Sequence, residues 1–376
     1  MIQLKKYFSF FLILSIMGCS PQKNILEKTL ASDNPKIKRV MDNAKDHEIQ
    51  IIYTQILRDK KGIISFKDYT YNLDANTYFY PASTIKFPIA ILALEKLNTI
   101  AHTSINTEYQ IEGNNEKLKF SEEISKVFSV SDNVASTNLF ELIGFDYINQ
   151  KMKDKGLSPF RMSHRLSGTD PTNPLVKSTT IFKDDNSVEV FPAKENQSGI
   201  PLNLNGVKKG IGYINSDDKL MNEPFDFSKK NYYPLETLHN TLKRIVFPKA
   251  FKEKERFKIT EKDREFILFS MQNLPKNAGY NHKEYYDGYC KFLMFGDSKE
   301  NIPLHMKIYN KVGNAYGTMI DCAYIVDQKN NIEFMLSATI LANKDGIFND
   351  NIYEYDSISL PFLAELGRQL YKKSRR

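Results

Sequence analysis

Two runs near the start of the chain, His47–Leu57 and Ile63–Tyr71, concentrate β-branched and aromatic residues on either side of the polar stretch Arg58-Asp59-Lys60-Lys61-Gly62. They predict two strands joined by a turn. From Ser83 to about Lys155 the apolar positions take a helical period. Phe87 to Leu94 is apolar nearly all round, which predicts a buried helix starting at Ser83, with Pro88 tolerated in its first turn. Val134–Ile143 and Phe145–Lys155 predict two further helices, ending at Gly144 and Gly156. Residues 167 to about 232 are rich in Asn, Asp, Lys, Ser, Gly and Pro and read as a polar insertion, with one hairpin where Thr179–Lys183 and Ser187–Phe191 flank Asp184-Asp185-Asn186. Leu235–Ile245 and Glu261–Asn273 are helical. Met306–Asn310, Gly317–Val326 and Ile332–Ile340 are strand-like, and a closing helix spans about Asp356 to Tyr371. Strands at both ends around a helical middle predict an α+β fold, with one antiparallel sheet assembled from both termini, flanking helices and a helical lobe.

The first residues change the picture of domain organisation. Lys5 and Lys6 precede the apolar run Tyr7–Met17, which ends in Ile16-Met17-Gly18-Cys19-Ser20. This order reads as a secretory signal, and its end resembles a bacterial lipobox, in which Cys19 receives the lipid. The expected plan is a signal and lipobox over 1–19, a polar tether over 20–35 with room for a short helix, and one domain over 36–376 carrying the 167–232 insertion. Anchoring would be by lipid alone, in the cell envelope, because no later apolar run is long enough to span a bilayer.

A chain of 376 residues with 41% hydrophobic and 26% charged residues is globular rather than disordered. The net charge of +7 falls to +5 without Lys5 and Lys6, and no basic cluster is dense enough to argue for nucleic acid. Lys372, Lys373, Arg375 and Arg376 read as a solvated helix end. Cys290 and Cys322 are too few for a disulfide framework and read as buried thiols, with a bridge as the alternative. The six histidines are scattered, so neither a metal nor a cofactor is expected. His-Glu-x-x-His, Gly-x-Ser-x-Gly and Walker motifs are absent.

Candidate chemistry lies in three short motifs. Ser-x-x-Lys occurs three times, at Ser20/Lys23, Ser83/Lys86 and Ser216/Lys219, but only Ser83 opens a buried helix. The i, i+3 spacing puts Lys86 on the Ser83 face. Desolvation there favours the neutral amine, a base for the serine. The Ser83 N–H at a helix start suits a developing oxyanion. Ser131-Asp132-Asn133 sits between helical segments, with a hydroxyl to relay a proton and an amide to bind one. Lys311-Val312-Gly313 ends a strand, where Gly313 lets substrate backbone approach and Lys311 adds positive charge. Each motif alone also reads as a helix cap, a surface lysine or a turn.

Together and in this order they resemble the serine β-lactamase and penicillin-binding protein superfamily, whose motifs are Ser-x-x-Lys, Ser-Asp-Asn and Lys-Thr-Gly. The resemblance is strongest to class A β-lactamases and covers roughly residues 40–165 and 233–373. It implies a β-lactamase/transpeptidase-like fold and an acyl-enzyme on Ser83. Lys86 would be the activator and Ser131 the proton shuttle. Asn133 would bind the substrate amide, the N–H groups of Ser83 and Asn314 would form the oxyanion hole, and Lys311 would orient the substrate. That substrate would be a β-lactam or a peptidoglycan-derived amide. The family's deacylating glutamate has no counterpart in Arg161-Met162-Ser163-His164-Arg165-Leu166-Ser167-Gly168; His164 and Asp170 are the nearest candidates for that role. Val312 stands where a hydroxyl residue is usual, and Met319 where an arginine often lies. β-Lactamase, D,D-peptidase, and another amidase or esterase all fit this pattern. A non-catalytic lipoprotein binding peptidoglycan or a protein is the rival reading.

Overall fold

A computed structural model describes residues 23–197 and 199–375; the signal and lipobox at 1–19 lie outside them. Five antiparallel strands form the central sheet. Their order is Met306–Ala315, Thr318–Asp327, Ile332–Leu341, Gln50–Arg58 and Ile64–Tyr71. The two termini meet in the middle of the sheet, where Gln50 pairs with Thr339 and Thr54 with Met335. The sheet built from both chain ends is therefore present.

Period-two alternation along its strands separates two cores. Ile51 and Tyr53 point to one face with Phe334, Leu336 and Ala338, and the closing helix Leu360–Ser374 covers them with Phe362, Leu366 and Leu370. Ile52 points to the other face with Ile320, Cys322 and Met335, under Leu235, Leu238 and Leu242 of the helix Leu235–Val246. Cys290 and Cys322 are buried free thiols.

The helical lobe packs around Lys86–Leu97, in which every residue except Lys96 is buried. Phe120–Ser129, Asn133–Glu141 and Gly144–Asp154 surround it. The helical reading of 83–155 needs one correction. Glu108–Ile111 and Leu118–Lys119 are paired strands, and Glu108–Ile111 also pairs with Thr179–Phe182 of the expected hairpin. The alternating burial of Glu108-Tyr109-Gln110-Ile111, followed by Gly113 at φ +80°, is the strand-and-turn signal that a helical reading of this stretch overlooks.

The short helix that the 20–35 tether allowed is present, but it is docked rather than free. Ile25–Leu30 is a helix with an Asn24/Glu27 capping box, and Leu26 and Leu30 are buried against the core that holds the closing helix. Asn34 caps a second helix, Pro35–Met41. The first described helix thus starts at Ile25, capped by Asn24.

The 167–232 segment does not form a separate body. Beyond its hairpin, Gly212–Ile214 runs parallel to Ile347–Phe348, and Phe227 and Tyr232 are buried with Tyr78, Tyr80 and Phe348 in a third, aromatic core. This core abuts the site described next.

Candidate active site

Ser83 lies in a 3-10 turn, Ala82–Ile85, that runs straight into the buried helix Lys86–Leu97. The helix proper therefore starts three residues later than its sequence suggests. Ala82 holds φ +45°, a left-handed backbone uncommon for a residue with a side chain, and it turns Ser83 toward a cleft. Thr84 ties the turn down by donating from its N–H and its hydroxyl to Pro81 O, at 3.1 and 2.6 Å.

Gly313 fixes the distance between this turn and the sheet. A Cβ on Gly313 would stand 2.9 Å from Ser83 N and 3.0 Å from both Pro81 O and Thr84 N. All three are backbone atoms, so no side chain can move aside. Packing against the Ser83 turn is thus by itself enough to require glycine here. Lys311-Val312-Gly313 also lies inside a strand, Met306–Ala315, and not at its end. The turn follows at Tyr316-Gly317.

Two lysines converge on Ser131. Lys311 Nζ donates to Ser131 Oγ at 2.7 Å and to Val312 O at 2.9 Å. Lys86 Nζ donates to Ser131 O and, at 3.4 Å, to Ser131 Oγ. Both lysines are buried. Burial, reinforced by the neighbouring Lys311 charge, pushes Lys86 down to about 6. Burial pushes Lys311 down to about 8, against the opposing pull of Cys290 and Asp321. At neutral pH the pair therefore approaches one amine and one ammonium sharing a hydroxyl, an arrangement suited to moving a proton.

A polar network not anticipated from the sequence lies beside Lys311, through its neighbour Asn310. Lys291 Nζ donates to Asn310 Oδ1 at 2.7 Å, and Asn310 Nδ2 donates to Asp321 Oδ1 at 2.8 Å. The signal was Asn310 and Asp321, two polar residues on strands otherwise packed into the core.

The cleft encloses about 390 Å³. Ser83, Asn133 and Asn314 line it, so the structure brings these candidates together with the Lys86–Ser131–Lys311 cluster. Its other walls were not foreseen. Tyr80, Ala82, Leu166, Ala315, Tyr316, Asn349, Asn351, Tyr353 and Tyr355 complete them, and no described lining residue carries a carboxylate. Gly317 N donates to Tyr355 Oη and Asn349 N to Tyr353 Oη, so the 349–355 segment is laced to the strand turn. Asn349 Nδ2 reaches Ile214 O of the insertion at 2.8 Å.

The two deacylation candidates lie elsewhere. His164 is buried behind Tyr80, its ring parallel to that phenol with centroids 6.1 Å apart. Its Nδ1 lies 2.7 Å from Arg165 O, and burial holds the imidazole neutral, down to about 4. Asp170 is exposed and closes a turn by accepting from Thr172 N and Oγ1. Neither lines the cleft. Val312 and Met319 are buried, and neither offers the cleft a hydroxyl or a cation.

A sequence model of the Beta-lactamase enzyme family matches residues 34–188. No curated protein matches the chain significantly. Solved structures do. A β-lactamase from Sphaerobacter thermophilus aligns with a TM-score of 0.51 at 10% identity, over 93% of this chain and 96% of that one. One from Xanthomonas campestris aligns at 0.51 and 14%, over 93% and 98%. One from Desulfarculus baarsii aligns at 0.53 and 11%, over 92% and 97%. At these identities the likeness is one of fold. The chain therefore has the fold of these β-lactamases, and its residues 34–188 match the Beta-lactamase enzyme family.

Proposed function

We propose that the protein is a serine acyl hydrolase or acyltransferase acting through a Ser83 acyl-enzyme on a β-lactam or a related cell-wall amide. The observation that carries this reading is the convergence of Lys86 and Lys311 on Ser131 beside a cleft lined by Ser83. Neutral Lys86 takes the Ser83 proton through the Ser131 hydroxyl. The Ser83 oxygen attacks the acyl carbon, and the resulting oxyanion meets backbone N–H groups of Ser83 and Asn314. The same hydroxyl returns the proton to the leaving nitrogen, while the Lys311 ammonium keeps the relay polarised. Asn133 supplies an amide to the substrate.

Release of the acyl group is the slow step. With no carboxylate or imidazole among the described lining residues, the cleft offers no separate base for a water on the acyl-enzyme beyond the Lys86–Ser131 pair that serves acylation. This favours a long-lived adduct, as in a penicillin-binding protein, over rapid β-lactam turnover. Intact-mass spectrometry after mixing with a penicillin tests both parts. An adduct on wild type that is absent in Ser83→Ala and persists for minutes is expected. No adduct from a penicillin, a D-Ala-D-Ala peptide or a fluorophosphonate would reject the nucleophile. Lipidation at Cys19 and an envelope location belong to the same reading. A Cys19→Ala protein that still partitions with membranes would reject the anchor.

A further inference from the structure

The end of the sheet that points away from the cleft gathers groups that are scattered along the chain. The starts of Met306–Ala315, Ile332–Leu341 and Ile64–Tyr71 and the finishes of Thr318–Asp327 and Gln50–Arg58 all lie at this end. Ala315, at the other end of its strand, lines the cleft, so about 30 Å separates cleft and sheet end. The turns Asp59–Gly62 and Gln328–Asn331 lie here, and the closing helix finishes beside them. Tyr53 Oη is 3.0 Å from Ser374 Oγ, and Tyr371 Oη donates to Asp327 Oδ2 at 2.6 Å while accepting from Arg375 Nη2 at 3.1 Å. The first helix starts at the same place: Ile25 lines a hollow of about 850 Å³ with Leu57, Arg58, Asn330 and Lys373.

Sequence-distant cations therefore meet, namely Lys60 and Lys61, Lys329, and Lys372, Lys373 and Arg375. All are exposed, and none forms an ion pair with a described residue. The neighbouring acids are committed. Asp59 accepts from the N–H groups of Lys61 and Ile63, Glu333 is held by Arg58 and Tyr324, and Asp327 is buried. Aliphatic side chains protrude among the cations. Ile63 is 62% exposed, and Leu304 is 91% exposed beside the second turn, where Gln328 N donates to His305 O. Lysines around protruding aliphatic groups suit a boundary where anionic headgroups meet the upper acyl chains. The path of the chain agrees, since its described part starts at Lys23, at this end, close in sequence to Cys19.

We propose that this end of the sheet is a contact surface for anionic lipid headgroups, and that it stands the domain on a membrane with the Ser83 cleft facing away. The proposal draws on the Cys19 anchor only to bring a membrane near; contact and orientation are properties of the folded chain without its lipid.

Residues 20–376 retain every described element and carry no lipid, and the chain has no tryptophan. Ile63→Trp therefore puts a sole reporter on the surface, and Val190→Trp puts one on the exposed face of the insertion hairpin. With vesicles of about 30% phosphatidylglycerol in phosphatidylcholine, emission from Ile63→Trp should move to shorter wavelength and that from Val190→Trp should not. Co-flotation of the unsubstituted protein should be at least about tenfold stronger on these vesicles than on phosphatidylcholine alone, and should vanish near about 0.5 M salt. Lys60→Glu, Lys61→Glu, Lys372→Glu and Lys373→Glu together should abolish it. Lys194→Glu, Lys208→Glu, Lys219→Glu and Lys229→Glu together, the same change in net charge within the insertion, should weaken it less than about twofold. Both sets are exposed, so both proteins should melt close to the parent. Equal flotation on the two vesicles, equal loss in the two sets, or an emission shift confined to Val190→Trp would overturn the proposal. Retention on heparin without flotation would overturn it as well and assign the cations to a soluble anionic polymer. Full-length protein without lipid on Cys19 by mass spectrometry would reject the anchor and leave the vesicle result standing.

Discussion

Lys86 and Lys311 have opposite duties in the proposed relay, and burial has set them about two units apart, at about 6 and about 8. Acylation needs Lys86 as the free amine, so its rate should rise with pH through about 6. It needs Lys311 as the ammonium, so the rate should fall through about 8. A bell between these limits is expected for the second-order rate of adduct formation. Lys311→Met should remove the alkaline limb. It should also move the acid limb upward, because the Lys311 charge is one of the causes that lower Lys86. An acid limb that stays in place would show that burial alone sets Lys86. Gly313→Ala is a steric test at the same place. Its methyl meets three backbone atoms at 2.9–3.0 Å, so the Ser83 turn must shift. A loss of roughly 1–3 kcal/mol in denaturant unfolding is expected, with acylation reduced by more than the same change at exposed Gly62. The motif residues were legible in the sequence because their chemistry is carried by residue type and order. Tyr353 and Asn349 were not, since nothing local marks which distant loop lines the cleft of a given serine.

The Arg161–Lys177 segment is held by an ion pair rather than by secondary structure. Arg165 and Glu141 are both buried, and Arg165 also donates to Asn173 O and Leu175 O while Glu141 accepts from Lys177 N. Leu166, the next residue, lines the cleft, so this pair sets one wall. Glu141→Ala should cost about 3–5 kcal/mol, because it strands a buried guanidinium. Limited trypsin digestion should then cut at Arg165 or Lys177, sites that resist in wild type. Glu141→Leu combined with Arg165→Met should recover much of the stability; an equal loss in single and double variants would reject the pairing argument. Elements with strong periods were legible from sequence. Leu235–Val246 and Glu261–Gln272 fall within a residue of expectation at each end. Short strands such as Gly212–Ile214 were not. Their partner, Ile347–Phe348, lies more than 130 residues away, and two or three residues carry no period of their own.

At the scale of the whole molecule, the docked helix Ile25–Leu30 changes how the domain would sit beneath a lipid anchor. A free tether over 20–35 would let the cleft range widely. With Asn24–Leu30 docked, a lipid on Cys19 would have at most residues 20–23 for its reach, no more than about 14 Å. The helix is also part of the fold's closure. Leu26 and Leu30 pack into the core shared by the closing helix and the sheet face bearing Ile51 and Tyr53. That core joins the first and last elements of the described chain, on the opposite side of the sheet from Ser83. Deleting residues 23–31 exposes both leucines' binding surface and should cost about 3 kcal/mol, or a fall in melting temperature of roughly 5 °C. Well below that temperature, the rate of Ser83 adduct formation should equal that of the full chain, since no residue of the helix lines the cleft. Calorimetry and the intact-mass assay on the same two proteins check both halves. An unchanged melting temperature would return this segment to the role of a tether. A lowered acylation rate in still-folded protein would mean that strain crosses the sheet, from the Ile51 face through the Met306–Ala315 strand to Gly313 and the turn it supports.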